Sequence, residues 1–145
     1  MTAMSLDLEA LETSFDMVAP RGADVVRLTY TRLFAAAPAV RQLFAGTDME
    51  RHQTVVLRTL VLVRKALRDL DAIVPALREL GARHVGYGSR AEHYPLVADA
   101  LIGAMAEVAG AAWQPRYERA WSAALGVVFG AMLEGANAAK DAAAA

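Results

Sequence analysis

Residues 73–88 form a predicted helix whose apolar stripe ends on a histidine. The members of this stripe repeat at spacings of four, three and four residues: Ile73, Leu77, Leu80 and His84. Pro75 suits the first turn, where a missing N–H is tolerated, and Gly86 and Gly88 predict the end of the helix. We therefore expect the imidazole of His84 to point into the fold.

An inward histidine has two explanations. Because the segment places no nucleophile or acid beside the ring, His84 fits a metal or cofactor ligand better than a catalytic base. The alternative is a core histidine bonded to a backbone carbonyl, which this segment alone favours by about two to one.

A second histidine lies on the longest amphipathic pattern, from about Met49 to Asp69. His52 shares its face with apolar side chains that include Val56, Val63 and Leu67. Taken alone, a histidine in this position is a packed or half-exposed residue by about three to one. However, only a short link separates this helix from the one that carries His84, so the two rings can stand on opposite walls of one pocket.

Apolar residues at helical spacing predict further helices on both sides of this pair. Two precede it: the first follows a cap at Ser5 or Asp7, and the second spans about residues 21–36. Pro38 then forces a corner, with Phe44 at its mouth.

Two more helices follow the pair, from about Glu92 to Gly110 and from about Gln114 onward. The inward rows of the flanking helices include Tyr30, Tyr94 and Val97. No alternating β pattern and no repeat of 20 to 50 residues is present, which predicts an all-α protein.

Composition limits the classes of function. The 145 residues, 56% of them hydrophobic, fit one domain, which we place at residues 1–137, followed by an Ala-rich tail at 138–145. A net charge of −1 without a Lys/Arg block argues against nucleic acid as a partner. The absence of cysteine excludes disulfides, zinc fingers and iron–sulfur clusters.

The cellular setting is also predicted from the sequence. The N-terminus lacks the basic lead and apolar centre of a signal peptide, and no uninterrupted apolar run reaches about 18 residues. We expect a soluble, cytoplasmic protein without a membrane span, either a monomer or a homodimer.

Four segments in this order resemble the bacterial single-domain globins related to the haem domain of flavohaemoglobins. The segments are residues 29–34 (TYTRLF), 38–44 (PAVRQLF), 83–88 (RHVGYG) and 92–97 (EHYPLV). The resemblance covers almost the whole chain and implies an all-α globin fold that encloses one haem b.

The resemblance also implies roles for individual residues. His84 is similar to the proximal iron ligand, and Tyr30, His52 and Val56 to the distal wall that faces bound gas. The remaining positions similar to haem-contacting residues are Phe44, Val56, Leu80, Arg83, Tyr94 and Val97.

The chain departs from the family pattern at three places. His52 stands where many relatives carry glutamine, so coordination of the iron by His52 is an alternative. Val55 replaces a residue that is often basic, which leaves Arg51, Arg83 and Arg90 as candidate propionate partners. The acid of the proximal His–Tyr–Glu relay falls at Ala136, and Glu134 is two residues early, nearly opposite on a helix.

These features imply a haem protein that reversibly binds O₂, NO and CO. Oxidation of NO to nitrate, known in the family, would need a separate reductase, because the chain has no G-x-G-x-x-G unit for a flavin or nicotinamide. The alternatives are a bis-histidyl sensor or electron-transfer protein, and a haem-free helical interaction module.

Overall fold

A computed structural model describes residues 6–144 of the chain. Within that range the α-helices are α1 (Leu8–Val18), α2 (Gly22–Ala36), α3 (Met49–Lys65), α4 (Val74–Gly86), α5 (His93–Ala109) and α6 (Pro115–Ala144). Short 3₁₀ turns join them at Ala19–Arg21, Pro38–Phe44, Leu70–Ile73 and Gly110–Ala112. No strand occurs among the described residues, and the predicted all-α class is confirmed.

The helix ends follow the signals in the sequence. The Asp7 carboxylate caps α1 by accepting a hydrogen bond from the Ala10 N–H at 3.2 Å, whereas the other candidate cap, Ser5, lies outside the described residues. Gly110 ends α5 with a φ of 60°. This left-handed conformation is easy for glycine and strained for other residues.

Two predicted helix ends differ from the structure. Helix α3 ends at Lys65, four residues before the predicted end at Asp69. The chain turns there because Leu67 and Leu70 enter the core, where they are 3% and 9% exposed. Helix α6 runs on to Ala144, past the predicted boundary at residue 137, although its last buried residue is Ala136. The domain boundary itself stays a prediction, and Ala145 lies outside the described residues.

A buried polar contact joins the first and last helices. Trp121 of α6 is 1% exposed and donates its indole N–H to Oγ of Ser14 in α1 at 2.8 Å. Ser14 donates in turn to the Ala10 carbonyl at 2.7 Å, so these buried polar groups are satisfied. The ring of Phe15 packs against the indole, with centroids 6.1 Å apart.

Two glycines allow α4 and α6 to cross at close range. A methyl group at Gly81 of α4 would overlap the Met132 carbonyl of α6, and one at Gly135 of α6 would overlap the Arg78 carbonyl of α4. Backbones can approach this closely only where no Cβ stands between them. This crossing fixes the position of α4, the helix that carries His84.

Two helical segments, His93–Ala112 and Pro115–Ala144, are long and apolar enough to span a membrane by length and composition alone. The sequence predicted no membrane span, because neither segment contains an uninterrupted apolar run of about 18 residues. Both supply core residues, among them Leu101, Met105, Trp121 and Leu125. Core helices of soluble proteins pass the same test, so this property is weak support for a membrane span.

Candidate functional site

An aromatic cluster joins α2, the 3₁₀ turn at Pro38–Phe44 and α3. The ring of Phe44 lies 5.4 Å from Tyr30, 5.5 Å from Phe34 and 5.4 Å from His52, measured between centroids. The inward row of α2 supplies Tyr30 and Phe34, and the corner begun by Pro38 brings Phe44 onto them. Tilted and edge-on contacts of this kind stabilise a rigid, apolar wall.

One hydrogen bond ties the two polar members of this cluster. The hydroxyl oxygen of Tyr30 lies 2.7 Å from Nε2 of His52. Burial raises the pKa of Tyr30 to about 12, so the phenol keeps its proton at neutral pH. Burial, and secondarily the charge of His84, lowers the pKa of His52 below its ordinary value of 6.5. Both groups are therefore neutral near pH 7.

His84 is held by its own helix. Its Nδ1 lies 2.7 Å from the Leu80 carbonyl oxygen, one turn earlier in α4. Since a carbonyl only accepts, Nδ1 carries a proton, and in the neutral form of the ring Nε2 keeps a free lone pair. The half-buried ring also packs edge-on against Tyr87, with centroids 5.3 Å apart. An imidazole oriented in this way can act as a metal ligand through Nε2.

The two histidines interact electrostatically. A positive charge on His84 contributes, after burial, to the lowered pKa of His52, which indicates that the two rings face a common space. Among residues 6–144, no cluster of three or more His, Asp or Glu side chains is arranged to hold a metal ion. The single oriented imidazole of His84 therefore fits an iron whose other ligands come from a porphyrin better than it fits a protein-only metal centre.

The other predicted contact residues lie at different places around the two histidines. Val97 of α5 packs in the same apolar cluster as Tyr30 and Phe44, and Leu80 packs against the main core. Val56 is half-buried one turn after His52 in α3.

The candidate propionate partners differ in what they contact. Arg90 pairs with Glu92 at 3.6 Å. Arg51 and Arg83 are exposed and make no ion pair with a described acidic residue. Arg51 and Arg83 are thus the cations available to an anionic group.

Tyr94 lies on α5 in a different environment from that of Tyr30. It is 8% exposed, its ring packs on Phe129 at 5.5 Å, and its hydroxyl is buried with no hydrogen-bond partner among the described residues. Glu134 does not supply one, because its carboxylate binds Arg78 on the surface at 2.7 Å. Ala136 is buried and offers no acceptor on its side chain.

Three site features were missed by sequence reasoning. The guanidinium of Arg41 lies over the Phe34 ring at 4.9 Å, a cation–π contact that covers the outer side of the aromatic wall. Tyr87 packs on His84, and the bond between Tyr30 and His52 spans two helices. Helical spacing could have indicated Tyr87, three residues after His84, but the other two contacts need the tertiary fold.

Comparison with known proteins gives a family and a set of relatives. A family model described as Globin matches residues 27–132. A flavohemoprotein of Bacillus thuringiensis subsp. konkukian is 28% identical over 87% of this chain and 31% of its own length. A flavohemoprotein of Bordetella parapertussis is 30% identical over 72% of this chain and 27% of its own length. The chain thus spans less than a third of these relatives.

Solved structures share the fold. One is a bacterial globin from Campylobacter jejuni, with a TM-score of 0.80 and 18% identity over 92% of this chain and 96% of its own. Another is an engineered carbene transferase from a candidate nitric oxide dioxygenase of Rhodothermus marinus. Its TM-score is 0.81 and its identity 22%, over 99% of this chain and 97% of its own. At these identities the likeness establishes the architecture alone.

Proposed function

The chain belongs to the globin family, and on that premise we propose that it holds one haem b and reversibly binds O₂, with NO and CO as further ligands. The observation that carries the proposal is the state of His84. Its Nδ1 is engaged by the Leu80 carbonyl, which leaves Nε2 as the free nitrogen on a fixed ring. A neutral, oriented imidazole is what a gas-binding haem needs as its axial ligand.

The side chains of this chain would have separable tasks. The haem supplies an iron with one free coordination position for a gas. The wall of Phe34, Phe44 and Val97 excludes water, which favours reversible binding over oxidation. Arg51 and Arg83 are placed in solvent, where they can pair with propionates.

The polar pair Tyr30 and His52 would set the affinity for O₂. In one arrangement the Tyr30 O–H donates to a lone pair on Nε2 of His52; in the other Nε2 carries the proton and donates to the Tyr30 oxygen. Only the second arrangement frees the phenol proton for a ligand. We infer that the His52 tautomer controls whether Tyr30 can stabilise a partly charged gas.

The same contact weighs against the bis-histidyl alternative. Direct coordination through Nε2 of His52 would break the 2.7 Å bond to Tyr30 and leave a buried phenol to find another partner. We therefore place His52 as a hydrogen-bonding residue.

Oxidation of NO is a second candidate function, which the resemblance to flavohaemoglobins implies. The neighbouring structure from Rhodothermus marinus, derived from a candidate nitric oxide dioxygenase, also supports it. This chain covers 31% of the length of the first of those relatives and 27% of the second, so their activity as whole proteins enters here only as a proposal. Sustained turnover would require a supply of electrons, which we propose comes from a separate reductase.

Replacement of His84 tests the proposal. Wild-type protein reconstituted with haem should show an intense Soret band that His84→Ala lacks, because the iron loses its protein ligand. His93→Ala is the matched control, since the His93 ring is engaged locally: its Nδ1 accepts a hydrogen bond from the Arg90 backbone N–H at 3.1 Å. A His84→Ala protein with an unchanged spectrum, or a wild type without a Soret band, would contradict the proposal.

A further inference from the structure

The outer flank of α3 carries a regular stripe of cations and apolar side chains. Its members repeat at spacings of four and three residues: Arg51, Val55, Arg58, Leu62 and Lys65. We name these five residues the α3 stripe. Val55 and Leu62 are 50% and 46% exposed, so the α3 stripe presents two aliphatic side chains to solvent between its cations.

The cations of the α3 stripe are free, in contrast to their neighbours on the same helix. Arg64 binds Asp16 at 2.9 Å, and Arg68, just after the helix, binds Glu12 at 2.7 Å. None of the three stripe cations makes an ion pair with an acidic residue in the described part of the chain. The ion pairs between this region and α1 thus lie on one flank, and Arg58 and Lys65 of the α3 stripe remain available to an acidic group outside the chain.

A shallow groove adds shape to this charge. It is lined by the aliphatic side chains of Leu57, Val61 and Leu62, by Thr54, and by two stripe cations, Arg58 and Lys65. A groove of this composition suits an apolar side chain on a surface that also carries carboxylates.

The location of the α3 stripe gives it a relation to the candidate site. Arg51 and Val55 each immediately precede a residue of the distal wall, namely His52 and Val56. Since a helix is about 10–12 Å across with its side chains, a partner seated on this flank lies about one helix diameter from the distal wall.

We propose that the α3 stripe is the docking surface for a separate, acidic, reduced flavin protein that donates electrons to the site. The identity of this partner depends on the proposed function, whereas the location of the docking surface depends only on the geometry of α3. One electron leaves the partner's flavin, which is oxidised by one equivalent, and the same electron reduces the haem iron from ferric to ferrous. The stripe extends about 21 Å along the helix, which fits the small interfaces of transient redox complexes.

Two other occupants fit the α3 stripe less well. A second copy placed symmetrically would set like charges against each other, because the stripe bears cations and no acid. A membrane-binding helix needs a broad apolar face, and the apolar face of α3 is already packed against the core. An acidic protein does not require a broad apolar face on α3, and the positive charge of the α3 stripe favours its binding.

The test measures reduction of the ferric haem protein by a flavodoxin hydroquinone, an acidic one-electron flavin donor. In stopped-flow experiments at about 20 mM salt, Arg58→Gln/Lys65→Gln should lower the second-order rate constant about tenfold, and the difference should vanish near 500 mM salt. The control Arg119→Gln/Lys140→Gln removes the same charge from exposed positions of α6 and should leave the rate unchanged. Leu62→Ser should lower the rate at both salt levels, because the apolar contact is not screened.

The remaining outcomes separate the surface from the function. Equal rates of reduction by dithionite in all variants show that the haem site is intact. Equal losses in the stripe and control variants, or vesicle binding through the stripe to phosphatidylserine with flavodoxin rates unaffected, would overturn the proposal. If the protein takes up no haem, the proposed function fails. In that case NMR titration of the apoprotein with oxidised flavodoxin still tests the surface, and shifts away from α3 refute it.

Discussion

The hydroxyl oxygen of Tyr30 and Nε2 of His52 lie 2.7 Å apart and join α2 to α3 across the distal side of the candidate site. Their sequence separation is 22 residues, so the bond is a product of the fold. Burial keeps the phenol protonated by raising its pKa to about 12, and it lowers the pKa of the imidazole. The Tyr30 hydroxyl is therefore a neutral donor whose proton can go either to His52 or to a ligand that enters the site.

Tyr30→Phe should raise the rate of O₂ dissociation. A hydrogen bond to a partly charged acceptor contributes about 1.5–3 kcal/mol, which corresponds to roughly ten- to 150-fold in rate. CO accepts hydrogen bonds poorly, so its dissociation should change little. Stopped-flow ligand replacement measures both rates, with Tyr87→Phe as a control at a 61% exposed tyrosine on the proximal side.

The companion variant His52→Ala decides which side chain is the donor. If Tyr30 donates to the gas, His52→Ala should change O₂ dissociation less than Tyr30→Phe does, because the phenol remains. If the order is reversed, His52 is the donor and the role assigned to Tyr30 is wrong.

His52 should make the apoprotein less stable in weak acid. The pKa of His52 is lowered in the folded state from an ordinary value of 6.5, so the unfolded state binds the proton more readily. The free energy of unfolding is therefore at its full value above about pH 6.5, and it falls as the pH drops from there through the lowered pKa. His52→Gln should remove this loss.

Urea unfolding of the wild-type and His52→Gln apoproteins at about pH 8 and pH 5 measures the effect. The loss of unfolding free energy between the two pH values is compared between the two proteins. The carboxyls of Asp7, Glu12 and Asp16 have pKa values lowered from ordinary values of 3.8 to 4.5, so they affect stability only at a more acid pH. Their contribution is also the same in both proteins. A His52→Gln protein that loses as much stability as wild type over this range would refute the prediction.

Gly81→Ala should destabilise the protein by about 1–3 kcal/mol or more, since the new methyl group meets the Met132 carbonyl and the helices must move apart. Gly126→Ala in α6 is the matched control. No atom lies within 4 Å of a Cβ there, so alanine should stabilise the helix by about 0.5–1 kcal/mol. Thermal and urea unfolding test both, and similar effects of the two substitutions would contradict the crossing described for α4 and α6.

Apolar spacing was enough to predict the helices and the inward rows that hold Tyr30, His52 and His84. These patterns are local, because a helix repeats every few residues and its caps and breakers lie in the same stretch. The early end of α3 could not be predicted in this way. It depends on Leu67 and Leu70 finding places in a core built by other helices.

Contacts between helices were also beyond the sequence. Nothing local distinguishes Gly81, which meets another backbone, from Gly126, which faces open space. The placement of Glu134 was foreseen from helical geometry: two residues before Ala136, it points away from the core and binds Arg78. The roles of the site residues toward a haem stay predictions that the variants above address.

Tyr94→Phe tests the buried hydroxyl on α5. In the structure this hydroxyl has no hydrogen-bond partner, and burial raises its pKa. A buried unpaired polar group costs about 1–3 kcal/mol, whereas the ring itself is well placed against Phe129. Removal of the oxygen should therefore raise the free energy of unfolding of the apoprotein by at least about 1 kcal/mol.

In the haem-loaded protein the same substitution is unfavourable if the hydroxyl gains a partner in the haem pocket. Tyr94→Phe would then speed the loss of haem to an acceptor apomyoglobin. Tyr87→Phe, at an exposed ring, should change neither quantity. An apoprotein weakened by Tyr94→Phe would mean that the hydroxyl is satisfied in solution and that the α5 side of the site differs from the arrangement described.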